Sequence, residues 1–364
     1  MKYIDEFRDN KIAKHLSRAI FDRARPLKSV NLMEVCGTHT MSICKFGIRR
    51  LLPESINLIS GPGCPVCVTP KSYIDAAVEF SRLPETIVAT FGDMMRVPGS
   101  YSSLTEERSK GRSVKVVYSA LDAVEIAEKN PGKKVIFLGI GFETTSPTVA
   151  ASLLYAKKKG LKNFFVYPGH KVIMPAMKAL VEGGEVNIHG FLCPAHVSAI
   201  IGTIPYGIIT EKYKIPCVIA GFEPIDILQG ILMLVGQIGS KRSKVENQYK
   251  RVVKKSGNKK ALDLMARVFS VEDSEWRGIG MIPKSGLTLS KAYARFNARN
   301  AFSLPHIKTR PDKGCICGSV LKGVNTPLDC RLFGRTCTPE KPIGACMVSS
   351  EGTCAAYYRY QVRT

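Results

Sequence analysis

Between Val30 and Ala220 the chain alternates between two hydrophobic rhythms. Short runs rich in Val, Ile and aromatic residues predict strands at 30–35, 56–60, 86–91, 114–118, 134–140, 163–167, 188–192 and 216–220. Between them, apolar residues at three- and four-residue spacing predict helices at 71–82, 121–130, 147–159 and 174–182. Parallel strands need a long crossover, usually a helix, so this alternation points to an α/β fold with parallel sheets. Eight strands would suit one barrel, but Asn130-Pro131-Gly132 reads as a break. Two doubly wound, Rossmann-like halves of about four strands each are the expectation.

The pattern differs at both ends. Before Asn31, the residues Ile4, Phe7, Ile12, Leu16, Ile20 and Phe21 are scattered among charges as in an amphipathic helix, and no signal peptide or transit sequence shows there. After Ile225, helical segments run to about Asn300, followed by a loop-rich tail dense in Gly, Pro and Cys. The expected organisation is therefore a helical segment over 1–30 that packs with the C-terminal part, an α/β domain over 31–130, a second over 131–224, and a mainly helical, loop-rich domain over 225–364.

Many predicted strands end in a Gly- or Pro-bearing polar turn. These are Cys36-Gly37-Thr38-His39, Gly61-Pro62-Gly63-Cys64, Gly92-Asp93, Gly141-Phe142-Glu143-Thr144-Thr145, Pro168-Gly169-His170, Cys193-Pro194-Ala195-His196 and Gly221-Phe222-Glu223-Pro224. In open α/β sheets ligands bind beyond the carboxyl ends of the strands, so these turns are expected to line a shared cleft. None matches the dinucleotide fingerprint or the P-loop, so no nucleotide cofactor is indicated.

Composition narrows the function classes. The formal charge of +23 is large for 364 residues, but it is spread along the chain; even its densest stretch, 241–260, reads as solvated helix faces. Nucleic acid is not the expected partner. The longest apolar stretch, 225–238, contains Asp226, Gln229 and Gln237 and is too short for a membrane span. Twelve cysteines without a secretory signal suggest a reducing, cytoplasmic location and metal or redox chemistry rather than a disulfide framework.

Six of those cysteines fall between Cys315 and Cys354. Cys317, Cys330, Cys337 and Cys354 give C-x12-C-x6-C-x16-C, with Cys315 and Cys346 left over. Four thiolates gathered from a segment with little core of its own suit a [4Fe–4S] cluster; structural zinc usually takes closer pairs. Spacing alone leaves open which four of the six bind. In Gly61-Pro62-Gly63-Cys64-Pro65-Val66-Cys67, two thiols can close a disulfide or chelate a metal. Thr69 and Pro70 read as the N-cap and first residue of the following helix, whose dipole would lower the pKa of Cys67. Cys36 with His39 could supply a nucleophile or metal ligand and its base or hydrogen-bond partner; a buried core cysteine is the plainer reading. Cys44 and Cys217 read as packing, and Cys193 as cleft or core. His170 and His196 read as orienting or structural groups, and Glu143 as a cap for the helix after it.

Taken together, CGTH at 36–39, GPGCPVC at 61–67, GFETT at 141–145, PAHVSAIIG at 194–202, GFEP at 221–224 and the tail cysteines resemble the HypD family of [NiFe]-hydrogenase maturation proteins. The resemblance implies two α/β domains joined to an iron–sulfur domain. It also implies a cytoplasmic protein, monomeric within a hetero-complex, that works with a HypC-type small chaperone and a HypE-type cyanide donor protein. Cys36 would ligate the iron of the Fe(CN)2CO unit together with a cysteine of the chaperone. Cys64 and Cys67 would exchange electrons with the cluster or help hold the iron. The family spacing selects Cys317, Cys330, Cys337 and Cys354 as cluster ligands. The alternative is an iron–sulfur disulfide reductase resembling ferredoxin:thioredoxin reductase.

Overall fold

The computed structural model describes residues 5–360, so Ile4 lies outside the described residues. All eight predicted strands form, each within two residues of its expected bounds. They are β1 (Val30–Glu34), β2 (Ile56–Ser60), β3 (Thr86–Thr90), β4 (Val114–Val116), β5 (Lys134–Gly139), β6 (Phe164–Pro168), β7 (Gly190–Pro194) and β8 (Cys217–Ala220). A ninth, β9 (Val245–Asn247), follows. The fold is α/β with two parallel sheets flanked by helices.

The strands are not shared out as expected. The first sheet runs β2-β1-β7-β8-β9 and the second β4-β3-β5-β6. A division at Asn130 would have placed β1 to β4 together. Instead β1 pairs with β7, matching Leu32 to Gly190, and the whole second sheet is inserted between them in the chain. The reason is burial. β3, β7 and β8 are buried along their whole length, and a strand covered on both faces needs a neighbour on each side and a helix layer above and below.

Helix ends follow local chemistry. Asp9 caps the helix Asn10–Ala24 by accepting from the amides of Lys11 (2.7 Å) and Ile12 (3.0 Å). That helix buries Leu16, Ile20 and Ala24 against Pro224–Gly239 and the first sheet, while Ile12 and Phe21 face solvent. Burial of Leu16 and Ile20 is worth roughly 1.5–3 kcal/mol each. The helix Lys71–Arg82 covers the second sheet with Tyr73, Ile74, Ala77 and Phe80. Among the described residues, no helix is long and apolar enough to cross a membrane.

The region after Ile225 departs from the expected run of helices. Helices Pro224–Gly239 and Lys259–Val268 form, but β10 (Phe269–Trp276) and β11 (Gly280–Leu289) make an antiparallel hairpin. Its turn, Arg277-Gly278-Ile279, packs on the tail. A Cβ on Gly278 would lie 2.1 Å from Cα of Gly318, so only glycine allows the two backbones this close. From Cys317 onward short helices alternate with loops, ending in Thr353–Tyr360. That last helix packs Ala356 and Tyr357 against Cys44 of the helix Gly37–Lys45.

Candidate functional site

The carboxyl ends of β1, β2, β7 and β8 meet at one point. Backbone bonds knit them: the Gly61 amide donates to the Glu34 carbonyl (2.8 Å), and the Gly37 amide to that of Gly63 (3.2 Å). Gly63 lies so close beneath Cys36 that a Cβ would stand 2.2 Å from the Cys36 nitrogen. Cys36 itself is the N-cap of the helix Gly37–Lys45 and is buried. Burial pushes its thiol up to about 12, outweighing the backbone amide of His39, which favours the thiolate.

The imidazole against Cys36 is that of His196, not His39. Its Nε2 lies 3.8 Å and its Nδ1 4.0 Å from the Cys36 sulfur. Desolvation lowers the His196 pKa to about 4, so the ring is neutral at physiological pH. His39, expected as base or hydrogen-bond partner, turns away. Its Nε2 faces the carbonyls of Ala220 (3.1 Å) and Gly221 (2.9 Å), which makes Nε2 the protonated nitrogen, and it is buried and held down at about 4. His39 thereby ties the CGTH loop to the end of β8. The Phe222 ring lies 5.0 Å from each of the two histidines and fills the space beside them.

Two carboxylates that the motifs did not single out complete the surroundings. Glu34, at the end of β1, is fully buried and accepts from the Thr40 hydroxyl (2.8 Å); burial raises its pKa to about 8. Glu351 accepts from Thr38 Oγ1 at 2.6 Å and so joins the cysteine-rich tail to the Cys36 helix. A charged residue inside the apolar run of β1 was a visible signal for Glu34. Glu351 carried none.

The second thiol loop lies beside the first. Cys64 is the N-cap of a short helix, Pro65–Val68, and its sulfur accepts from the Cys67 amide at 3.3 Å. The long helix begins only at Lys71 with Pro70 as its cap, so Thr69 is not the N-cap; its hydroxyl donates to the Pro65 carbonyl (2.8 Å). Cys67 is consequently inside the short helix and fully buried, and burial raises its pKa instead of the helix dipole lowering it. Its thiol neighbours are Cys64 and, from the tail, Cys346.

All six tail cysteines line one small cavity, walled also by Ile316, Val320, Leu332, Phe333 and Met347. Cys346 touches both groups, with its thiol next to those of Cys67, Cys317 and Cys354. The Ile343 amide donates to Cys337 Sγ at 3.3 Å, a contact that favours a thiolate. Every described cysteine is a free thiol. Among the described residues no three donor side chains converge tightly enough to hold a single ion. Thiols lining a shielded, apolar-walled cavity have the soft-donor chemistry that iron–sulfur clusters use. On that donor set the residues fit an iron–sulfur cluster.

The remaining sequence-predicted residues sit elsewhere. Glu143 does not cap the helix that follows it. Its Oε1 accepts from the Ile173 amide (3.0 Å) at the start of Ile173–Gly183, and Oε2 is buried without a partner. His170 is buried at the end of β6 with neither ring nitrogen hydrogen-bonded, its ring 5.5 Å from that of Phe269; burial lowers its pKa to about 3. Cys193 and Cys217 are buried neighbours on β7 and β8, and Cys44 accepts from Arg49 Nη1 at 3.5 Å. The last three are packing groups.

Comparison with known proteins places the chain in a family. The family model described as "HypD: Hydrogenase formation hypA family" matches residues 11–361. The chain belongs to the HypD family. Among its relatives, the hydrogenase maturation factor HypD2 of Bradyrhizobium diazoefficiens is 48% identical over 99% of this chain and 97% of its own length. The hydrogenase maturation factor HypD of Escherichia coli K12 is 46% identical over 99% and 98%, and the hydrogenase expression/formation protein HupD of Azotobacter chroococcum 47% over 99% and 97%. Hydrogenase maturation is therefore the function class of this HypD protein.

Proposed function

We propose that this HypD protein is the scaffold on which the Fe(CN)2CO unit is assembled, together with a HypC-type small chaperone and a HypE-type cyanide donor protein. The observation that carries the reading is the Cys36 pocket: a single buried thiol faced by a neutral imidazole and backed by the loop of Cys64 and Cys67. A thiol held near 12 keeps its proton at neutral pH until a cation displaces it. When iron, the substrate, arrives, the Fe–S bond forms as the S–H bond breaks, and neutral His196, too weak a base to keep the proton, relays it to solvent. Phe222 and the buried backbone around Gly63 keep water from the new bond.

Cys64 and Cys67 would close a disulfide by giving up two protons to solvent and two electrons, one at a time, to an external acceptor by way of the cluster. Cys317, Cys330, Cys337 and Cys354 would hold a cluster, which would supply one-electron chemistry beside them. Contact between Cys67 and Cys346 supports such a pairing. A free-standing disulfide reductase would use the same contact, but Cys64 is 3% and Cys67 0% exposed, which weighs against a dissociable protein disulfide reaching them.

The test is Cys36→Ala. The variant is expected to keep its fold and visible absorption while the infrared bands of bound cyanide and carbon monoxide vanish from the complex purified with the small chaperone. Undiminished bands would rule the scaffold reading out.

A further inference from the structure

The cavity of the tail cysteines has an inner and an outer end. At the inner end Cys346 is fully buried and its thiol adjoins that of Cys67. At the outer end Cys330 and Cys354 are only half-buried. Cys315 is half-buried too, but it lies on the wall toward the β10–β11 turn and outside the proposed ligand set. Electrons that leave the Cys64–Cys67 pair by way of this cavity therefore reach the surface at Cys330 and Cys354.

Three short pieces of chain build that surface. The 3-10 helix Pro327–Asp329 leads into Cys330. A tight loop follows, closed by the Phe333 amide donating to the Cys330 carbonyl (3.0 Å) and the Gly334 amide to that of Cys337 (3.1 Å). The helix Thr353–Tyr360 packs on both, with the Tyr358 ring edge-on to Phe333 at 6.2 Å. Leu328, two residues before Cys330, is 64% exposed. The same three pieces carry Arg331, Arg335 and Arg359, which are exposed and, among the described residues, have no ion pair. The neighbouring carboxylates are occupied: Asp329 accepts from the Thr326 amide (2.8 Å) and hydroxyl (3.0 Å), and Glu340 has a partner of its own.

A single exposed leucine is ordinary on any surface. Here it stands beside a half-buried sulfur and shares its face with three uncommitted guanidinium groups, whose planar forks match carboxylates. Redox encounters use small, weak interfaces, and complementary charge supplies their speed and orientation. The sign of this face, on a chain of formal charge +23, selects an acidic partner.

We propose that this face docks an acidic one-electron carrier protein, the external acceptor for the thiol pair. The inference rests on the cluster and the dithiol of the proposed function. As the Cys64–Cys67 disulfide closes, two protons go to solvent. The two electrons pass one at a time by way of the cluster to two successive carriers, each reduced by one electron.

Full-length protein is purified anaerobically, and two acidic carriers serve as probes: an oxidised flavodoxin and an oxidised plant-type [2Fe–2S] ferredoxin. Binding is read by calorimetry in about 0.1 M salt, where exposed charges more than about 10 Å apart are largely screened. Electron transfer is read by stopped flow as the appearance of reduced carrier, after chemical reduction of the cluster, so neither the dithiol nor iron at Cys36 enters the measurement. Saturable binding with a Kd of about 100 µM or tighter is expected for at least one carrier, weakening as salt is raised. Arg331→Glu with Arg335→Glu should weaken binding about tenfold or more and slow transfer at low carrier concentration in proportion, with visible absorption and iron content retained. Because Arg331 adjoins Cys330, Leu328→Ala gives a second arm that leaves the charges alone; it should weaken binding about threefold or more. Lys259→Glu with Lys260→Glu reverses as many charges at the start of the helix Lys259–Val268 and should leave the Kd within about twofold. Failure of both carriers to bind would overturn the proposal. So would binding that survives both the arginine pair and Leu328→Ala, or an equal loss in the lysine pair, which would reduce the attraction to net charge. Native protein without a cluster would overturn the proposed function and this inference together, whereas a reducible cluster without carrier binding would overturn this inference alone.

Discussion

Glu143→Gln isolates the energetic consequence of a carboxyl group sealed at the end of β5. Burial raises its pKa from an ordinary 4.5 to about 7. Between those values the folded protein keeps a proton that the unfolded chain has lost, so stability must fall as pH rises through this window and level off above it. The shift corresponds to about 3 kcal/mol in all. Glutamine cannot ionise, and its carbonyl oxygen can still accept from the Ile173 amide. Its amide nitrogen stands where Oε2 has no partner, at a cost of about 1–3 kcal/mol that is the same at every pH. The assay is anaerobic guanidinium unfolding of both proteins between pH 4.5 and 8. Buried neutral His39 and His170, which oppose stability as pH falls below their ordinary range, are common to both chains and cancel in the difference. Relative to the native protein, the variant should gain about 3 kcal/mol across the window. A difference flat to within about 1 kcal/mol would show that Glu143 ionises freely in the folded state, and the account of its burial would be wrong.

Two more outcomes follow from the thiol loops. Gly63→Ala places a methyl 2.2 Å from the Cys36 nitrogen, so the two loops must part; destabilisation of about 1–3 kcal/mol is expected, with faster alkylation of Cys36, and an unchanged melt with unchanged alkylation would refute the close approach. Single Cys→Ser changes at Cys317, Cys330, Cys337 and Cys354 should abolish the visible absorption and bound iron of anaerobically purified protein, while Cys315→Ser and Cys346→Ser retain them. Loss of iron in Cys346→Ser would reassign the ligand set.

The periodicity of the chain was enough to find eight strands and the four longest helices between them, because each depends on the local spacing of apolar residues. Which strands share a sheet was not legible. β1 and β7 pair across a separation that leaves no local mark, and Asn130-Pro131-Gly132 proved to be a turn inside the second sheet. The β10–β11 hairpin was missed because consecutive polar residues Glu272, Asp273 and Ser274 interrupt its apolar alternation where the register shifts, although Arg277-Gly278-Ile279-Gly280 is a fair turn signal. Cys36, Cys64 and Cys67 were picked out by sequence, and their loops adjoin through Gly63. His196 was named but not placed against Cys36, since only the sheet order brings the end of β7 beside that of β1. His39 was the nearer histidine in sequence, and proximity along a helix was mistaken for proximity to the sulfur.

The interrupted first sheet bears on how the molecule is made. Cys36 and His196 are 160 residues apart. At ordinary translation rates the ribosome needs on the order of 10–30 seconds to deliver the second after the first. Throughout that interval β1 has only β2 beside it, and its other edge stays open until β7 is synthesised. The cysteines of both front loops emerge early, into a pocket that does not yet have its roof. A nascent or truncated chain therefore has the sulfur atoms but no enclosed site, and any metal captured at that stage would be bound without the selectivity of the finished one.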